Sequence, residues 1–128
     1  MSGALSPAAL LAEARVLIGR PDASTAGVWP RTSALLARQA LEEAVNRCWA
    51  ASPATAPMLE ASMWARLACL PAYVPGTEAR QAVFAYAALS SACHYHPYEL
   101  APTAAELSGW IDDVAELVGE LGQAEPVA

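Results

Sequence analysis

The chain has 128 residues, 55% of them hydrophobic and 16% charged, with a net charge of −6. That length supports one buried core and excludes two independent ones, and the acidic balance argues against holding nucleic acid by diffuse attraction while leaving room for a local basic pocket. So much apolar surface on so small a chain predicts self-association, most simply a two-fold homodimer. All seven basic residues are arginine. Cys48, Cys69 and Cys93 lie far apart in apolar stretches without Cys-x-x-Cys spacing, so they read as buried thiols of a reducing, cytoplasmic compartment. Glu13 and Arg15 interrupt the first apolar stretch, which does not read as a secretory signal, and no run approaches transmembrane length.

The first helix is expected from about Pro7 to Gly19. Ser6 caps it, Pro7 sits where a missing N–H costs nothing, and Leu10, Leu11, Ala14, Leu17 and Ile18 share a face. Residues 21–28 are turn-like and expected to be mobile, with Trp29 in the loop that follows. The second helix starts near Pro30 and runs to about Ala51, its apolar positions recurring from Leu35 to Trp49. Arg38 with Glu42, and Glu43 with Arg47, are spaced for i,i+4 ion pairs.

After a loop at 52–57, a shorter helix is predicted from about Leu59 to Leu70, carrying Met63, Trp64 and Leu67 and closed by Pro71. The fourth helix begins with Thr77 as cap and turns Ala82, Val83, Tyr86, Leu89 and Cys93 inward. Pro97 disfavours helical geometry at His96, which predicts an end near His94 or Tyr95. In the fifth helix Thr103 and Glu106 have capping-box spacing, followed by an apolar face from Leu107 to Leu121. The expected fold is all-α, an up-and-down bundle of four main helices and one short one. It forms a single domain over residues 1–122, with a frayed tail at 123–128.

Both histidines and two tyrosines fall within five residues, His94-Tyr95-His96-Pro97-Tyr98, where the fourth helix must stop. Imidazole titrates near neutrality, which makes this the natural seat for proton transfer. Ser91, His94 and Tyr95 share a helical face, while His96 falls about 140° beyond Ser91 on a regular helix. Unpaired carbonyls and the negative dipole end favour an imidazolium there. A plainer reading also stands, in which the histidines cap the helix and pack against the helix of Trp110. Zinc is a poor fit because His-x-His points two ways on a helix and no second ligand pair is evident. Ser90 and Ser91 lack the strained elbow of a hydrolase nucleophile, and without a glycine-rich phosphate loop no cofactor is expected.

The stretch Ser91, four residues, His96, Pro97, Tyr98 resembles the signature of the HEPN superfamily. That signature is an Arg, four to six residues and a His at the end of a late helix, extended in one subgroup to Arg-x-x-x-x-His-x-Tyr. The run Leu36-Ala37-Arg38-Gln39-Ala40-Leu41-Glu42-Glu43-Ala44 is similar to the family's early long helix. The resemblance implies a small helical dimer from a defence or toxin–antitoxin system, acting as a metal-independent endoribonuclease in which the RNA 2′-hydroxyl attacks its own phosphate. On that reading His96 is the general acid/base, with His94 beside it. Tyr98 is an assisting hydroxyl, or the modification target of a nucleotidyltransferase or other antitoxin-like partner.

The chain departs from the signature at Ser91, which stands where the family has Arg and brings no charge to a developing phosphorane. Three readings stay open: Arg38, Arg31 or Arg80 reaches the site from elsewhere, the chain is a natural inactive relative, or the serine is an engineered substitution. Arg38 and Arg47 have helix partners and read first as solvated ion pairs. Arg31, a cation in the first turn of a helix, is the better candidate for an outside anion such as RNA. The tryptophans read as core or dimer anchors, Trp29 excepted. Outside catalysis, the alternative is a non-catalytic helical dimer serving as a protein-interaction module.

Overall fold

A computed structural model describes residues 5–19, 29–74, 79–94 and 101–123. Among these the chain is all-helical, with α1 Pro7–Gly19, α2 Trp29–Ala50, a 3-10 turn Ala56–Glu60, α3 Met63–Tyr73, α4 Ala79–Cys93 and α5 Ala104–Gln123. The expected mobile stretch at 21–28, the Thr77 cap and tail residues 124–128 lie outside the described residues, as do Tyr95, His96, Pro97 and Tyr98.

Local chemistry sets the helix starts. Ser6 Oγ accepts from the Ala9 N–H at 3.1 Å. Thr103 and Glu106 form a reciprocal capping box, each side chain 3.0 Å from the other's backbone N–H. Both devices satisfy donors that the first turn of a helix leaves orphaned.

α2 is the central element, packed against α1, α4 and α5. Ala34, Ala37, Ala40, Leu41 and Val45 are fully buried along it, and the alanines let neighbouring helices approach closely. Leu10, Leu11 and Ala14 of α1 close one side, helped by a buried hydrogen bond from Ser33 Oγ to the Ala14 carbonyl at 3.1 Å. Leu107, Ile111, Val114, Leu117 and Leu121 line the buried face of α5, as their spacing requires. An exposed Arg15–Asp112 ion pair at 2.8 Å ties α1 to α5.

The short helix expected from about Leu59 to Leu70 is divided into a turn and a later-starting α3. Residues 56–60 form the 3-10 turn, and Ser62 caps a new start by accepting from the Ala65 N–H at 3.2 Å. Pro71 does not close α3, which continues to Tyr73. The ring is exposed in the last turn, and burial of Leu70 and Val74 on either side holds that turn, with Val74 N–H donating to Leu70 O at 2.8 Å. Arg66 fixes the corner: Nε donates to Ala61 O, Nη1 to Asn46 Oδ1 and Nη2 to Leu59 O. Trp49 is buried against this corner, donating from Nε1 to Arg66 O at 3.3 Å and meeting Tyr73 edge-on.

One further expectation is corrected, and one alternative is narrowed. Of the two roles read for Trp64, core or dimer anchor, the core is not the one it takes: it is 47% exposed, its ring edge-on to Tyr86 with centroids 4.9 Å apart. The three cysteines are free and only half-buried, because each lies on the flank of its helix and not on the face that meets the core.

Candidate functional site

α2 and α4 run antiparallel. Glu42 Oε2 accepts from Tyr86 Oη at 3.2 Å, and one turn earlier on α2 the Arg38 charge acts on Cys93, two turns later on α4. Continuing in that sense, the first turn of α2, with Arg31 exposed in it, lies at the end where α4 finishes. α4 gives its last helical residue at Cys93 and closes with a turn in which His94 N–H donates to Ser91 O at 3.1 Å. The helix therefore ends where Pro97 predicts.

The flank of α4 that faces α2 carries Val83, Tyr86, Ser90 and Cys93, all half-buried. Opposite them sit Arg38 and Glu42. The expected Arg38–Glu42 ion pair is not formed, whereas Glu43–Arg47 is, at 3.0 Å. Two physical reasons account for the difference. Glu preceding Arg by four residues suits the helix dipole better than the reverse order. Glu42 is also engaged by the Tyr86 hydroxyl from the neighbouring helix.

Arg38 Nε and Ser90 Oγ are both buried without a hydrogen-bond partner. The Ser90 hydroxyl lies near that of Tyr86 without completing a hydrogen bond. Buried polar groups are usually paired, and Arg38 Nε and Ser90 Oγ, like Glu120 Oε2 on α5, have no partner within the protein. Burial pushes the Cys93 thiol up from its ordinary 9.0, and Glu42 adds to this while Arg38 opposes it. The Tyr86 phenol is raised by burial first and then by Glu42. Both groups therefore stay protonated at neutral pH, which makes Cys93 a poor nucleophile.

Comparison of the chain with protein-family models, curated proteins and solved structures finds no match.

Of the residues that the sequence singles out, Ser91 and His94 lie together on the exposed stripe of α4, in line with Arg80, Phe84 and Ala87. Ser91 points away from Arg38; its neighbour Ser90 is the serine on the α2 side. Arg38 belongs to the α2–α4 cluster, and His96 and Tyr98 lie outside the described residues. Arg80 is exposed near the start of α4, the far end from His94.

From sequence, Tyr86 and Cys93 read as packing residues, Ser90 as an unsuited nucleophile, and Arg38 with Glu42 as a surface pair. The available signal was that Tyr86, Ser90 and Cys93 follow one another at i, i+4 and i+7, one face of a helix. No group of three His, Cys, Asp or Glu side chains able to hold a metal ion occurs among the described residues. What the cluster offers is a guanidinium fork and a hydroxyl, both donors, with Ser90 one turn of α4 before His94. Such a set suits an oxyanion.

Proposed function

We propose that this chain is a HEPN-like RNA-targeting protein of a defence or toxin–antitoxin type, with a metal-independent endoribonuclease site around His96 and Tyr98. The observation that carries this reading is Arg38: a half-buried guanidinium with an unpartnered Nε, acting on Cys93, three residues before His96 in the chain. A cation that the fold withholds from its i,i+4 carboxylate is available to a phosphate. In this role Arg38 supplies from α2 the charge that Ser91 lacks. His96 then moves the proton of the 2′-hydroxyl, His94 and Tyr98 assist, and Arg31 contacts the strand further along the same end. Trp64, exposed beside Tyr86, adds a ring on which an unpaired base can stack.

The test is cleavage of a mixed RNA pool in EDTA. Cleavage is expected to be weak in the protein as it stands, raised by Ser91→Arg, and abolished by His96→Ala and by Arg38→Gln. Silence from the protein as it stands and from Ser91→Arg alike sinks the nuclease reading.

A second reading, a non-catalytic helical dimer acting as an interaction module, is favoured by the exposed stripe of α4. Phe84 is 65% exposed there, and Ser91 and His94 lie in line with it. On this reading none of the variants cleaves RNA, and the partner is a protein.

A further inference from the structure

Four groups meet between α2 and α4, and their pairing is unusual. Arg38 and Glu42 have the spacing to neutralise each other and do not. Tyr86, from the opposite helix, donates to Glu42 Oε2 and holds that carboxylate. Two donors remain without acceptors, Arg38 Nε and Ser90 Oγ; Ser90 lies beside the Tyr86 hydroxyl, and the Arg38 charge acts on that hydroxyl through space. An oxyanion reaching this flank would give Arg38 and Ser90 an acceptor that neither has within the protein. Arg38, Ser90 and Cys93 are half-buried as residues, while Arg38 Nε and Ser90 Oγ themselves are covered.

We propose that Arg38 and Ser90 form an oxyanion subsite for a phosphodiester of RNA, and that Tyr86 is a positioning residue that keeps the subsite open by holding Glu42 away from Arg38. The assignment of the oxyanion to RNA rests on the reading given above; the subsite and its tyrosine latch rest on the geometry. Tyr86 touches no substrate. Loss of its hydroxyl releases the Glu42 carboxylate, whose nearest cation at i−4 is Arg38, and the internal pair then competes with the phosphate. Removing the carboxylate as well makes the latch unnecessary. The signature is an interaction between two substitutions, which a merely packed tyrosine does not produce.

The experiment is a titration of the full chain with inorganic phosphate and, separately, with a short single-stranded RNA, following the Arg38 Nε–H signal by nuclear magnetic resonance. The signal is assigned by its loss in Arg38→Lys. Phosphate is expected to shift it in the unsubstituted protein. Tyr86→Phe is expected to weaken phosphate about threefold or more, and Glu42→Gln to make the same Tyr86→Phe change neutral. Ser90→Ala is expected to weaken phosphate about two- to tenfold.

The proposal is overturned by an Arg38 signal that ignores phosphate, as it does if a bound water already satisfies both donors. It is equally overturned by a Tyr86→Phe effect that persists undiminished beside Glu42→Gln. Should Tyr86→Phe fail to fold, Glu42→Gln and Ser90→Ala alone decide: tighter and weaker phosphate respectively support the subsite, and no change in either removes it. Phosphate binding with the full pattern but no RNA cleavage leaves the subsite standing and rejects the nuclease. Cleavage without a response at Arg38 does the reverse.

Discussion

Arg66→Met keeps the apolar stem of the side chain and removes every donor from the corner between α2 and α3. Those donors make three hydrogen bonds: Nε to Ala61 O at 2.9 Å, Nη1 to Asn46 Oδ1 at 2.7 Å, and Nη2 to Leu59 O. A hydrogen bond from a charged donor contributes about 1.5–3 kcal/mol when buried. Here the group is half-buried, so water recovers part of each bond and each contributes about 1 kcal/mol, below the low end of that range. The expected loss is about 2–4 kcal/mol in all. With an unfolding slope of about 2 kcal/mol per molar urea, this moves the midpoint down by roughly 1–2 M. The assay is equilibrium urea unfolding followed by tryptophan fluorescence, since Trp49 Nε1 donates to the Arg66 carbonyl and reports on the same corner. A midpoint shift below about 0.3 M, with an unchanged slope, would mean that water replaces the guanidinium without cost. It would also mean that the corner is held by Trp49, Leu67 and Leu70 alone.

Thr103→Ala removes one half of the capping box at the start of α5 and is expected to cost about 1 kcal/mol, seen as a lower melting temperature with unchanged helix content at 20 °C. The Cys48 and Cys93 thiols and the Tyr86 phenol are all raised in the folded chain, chiefly by burial, from ordinary values of 9.0 and 10.0. The folded state therefore holds these protons more tightly than the unfolded one. Their contribution is complete below pH 9 and is lost as pH rises through the folded values, so the urea midpoint should fall above pH 9; a midpoint that rises between pH 9 and 11 contradicts the assignment. Phe84→Ser changes an exposed side chain and should alter monomer stability by less than about 0.5 kcal/mol. If the α4 stripe is a contact between copies, the same change lowers the sedimentation-derived association constant; an unchanged constant removes Phe84 from that contact.

Local chemistry made much of this chain legible in one dimension. The Ser6 cap, the Thr103–Glu106 box, the apolar face of α5 and the end of α4 before Pro97 each depend on residues within a turn or two of one another. Composition and periodicity are enough to place them. The errors share one cause. Pro71 reads as a stop, yet the last turn of α3 is held by the burial of Leu70 and Val74, which no local rule supplies. Trp64 reads from sequence as a core or dimer anchor, and only the fold shows that its flank of α3 meets Tyr86 and not the core.

Arg38 with Glu42 and Glu43 with Arg47 are alike as sequence, i,i+4 pairs of opposite charge on one helix. They differ in the fold because α4 brings a hydroxyl to one carboxylate and none to the other. Chain order alone determined that the protein is helical, where most of its helices begin, and which stretch concentrates its imidazoles. Only the tertiary structure decided which charges neutralise one another, since a side chain's partner is chosen by what the fold brings to it, and here the hydroxyl that engages Glu42 lies 44 residues away in the chain.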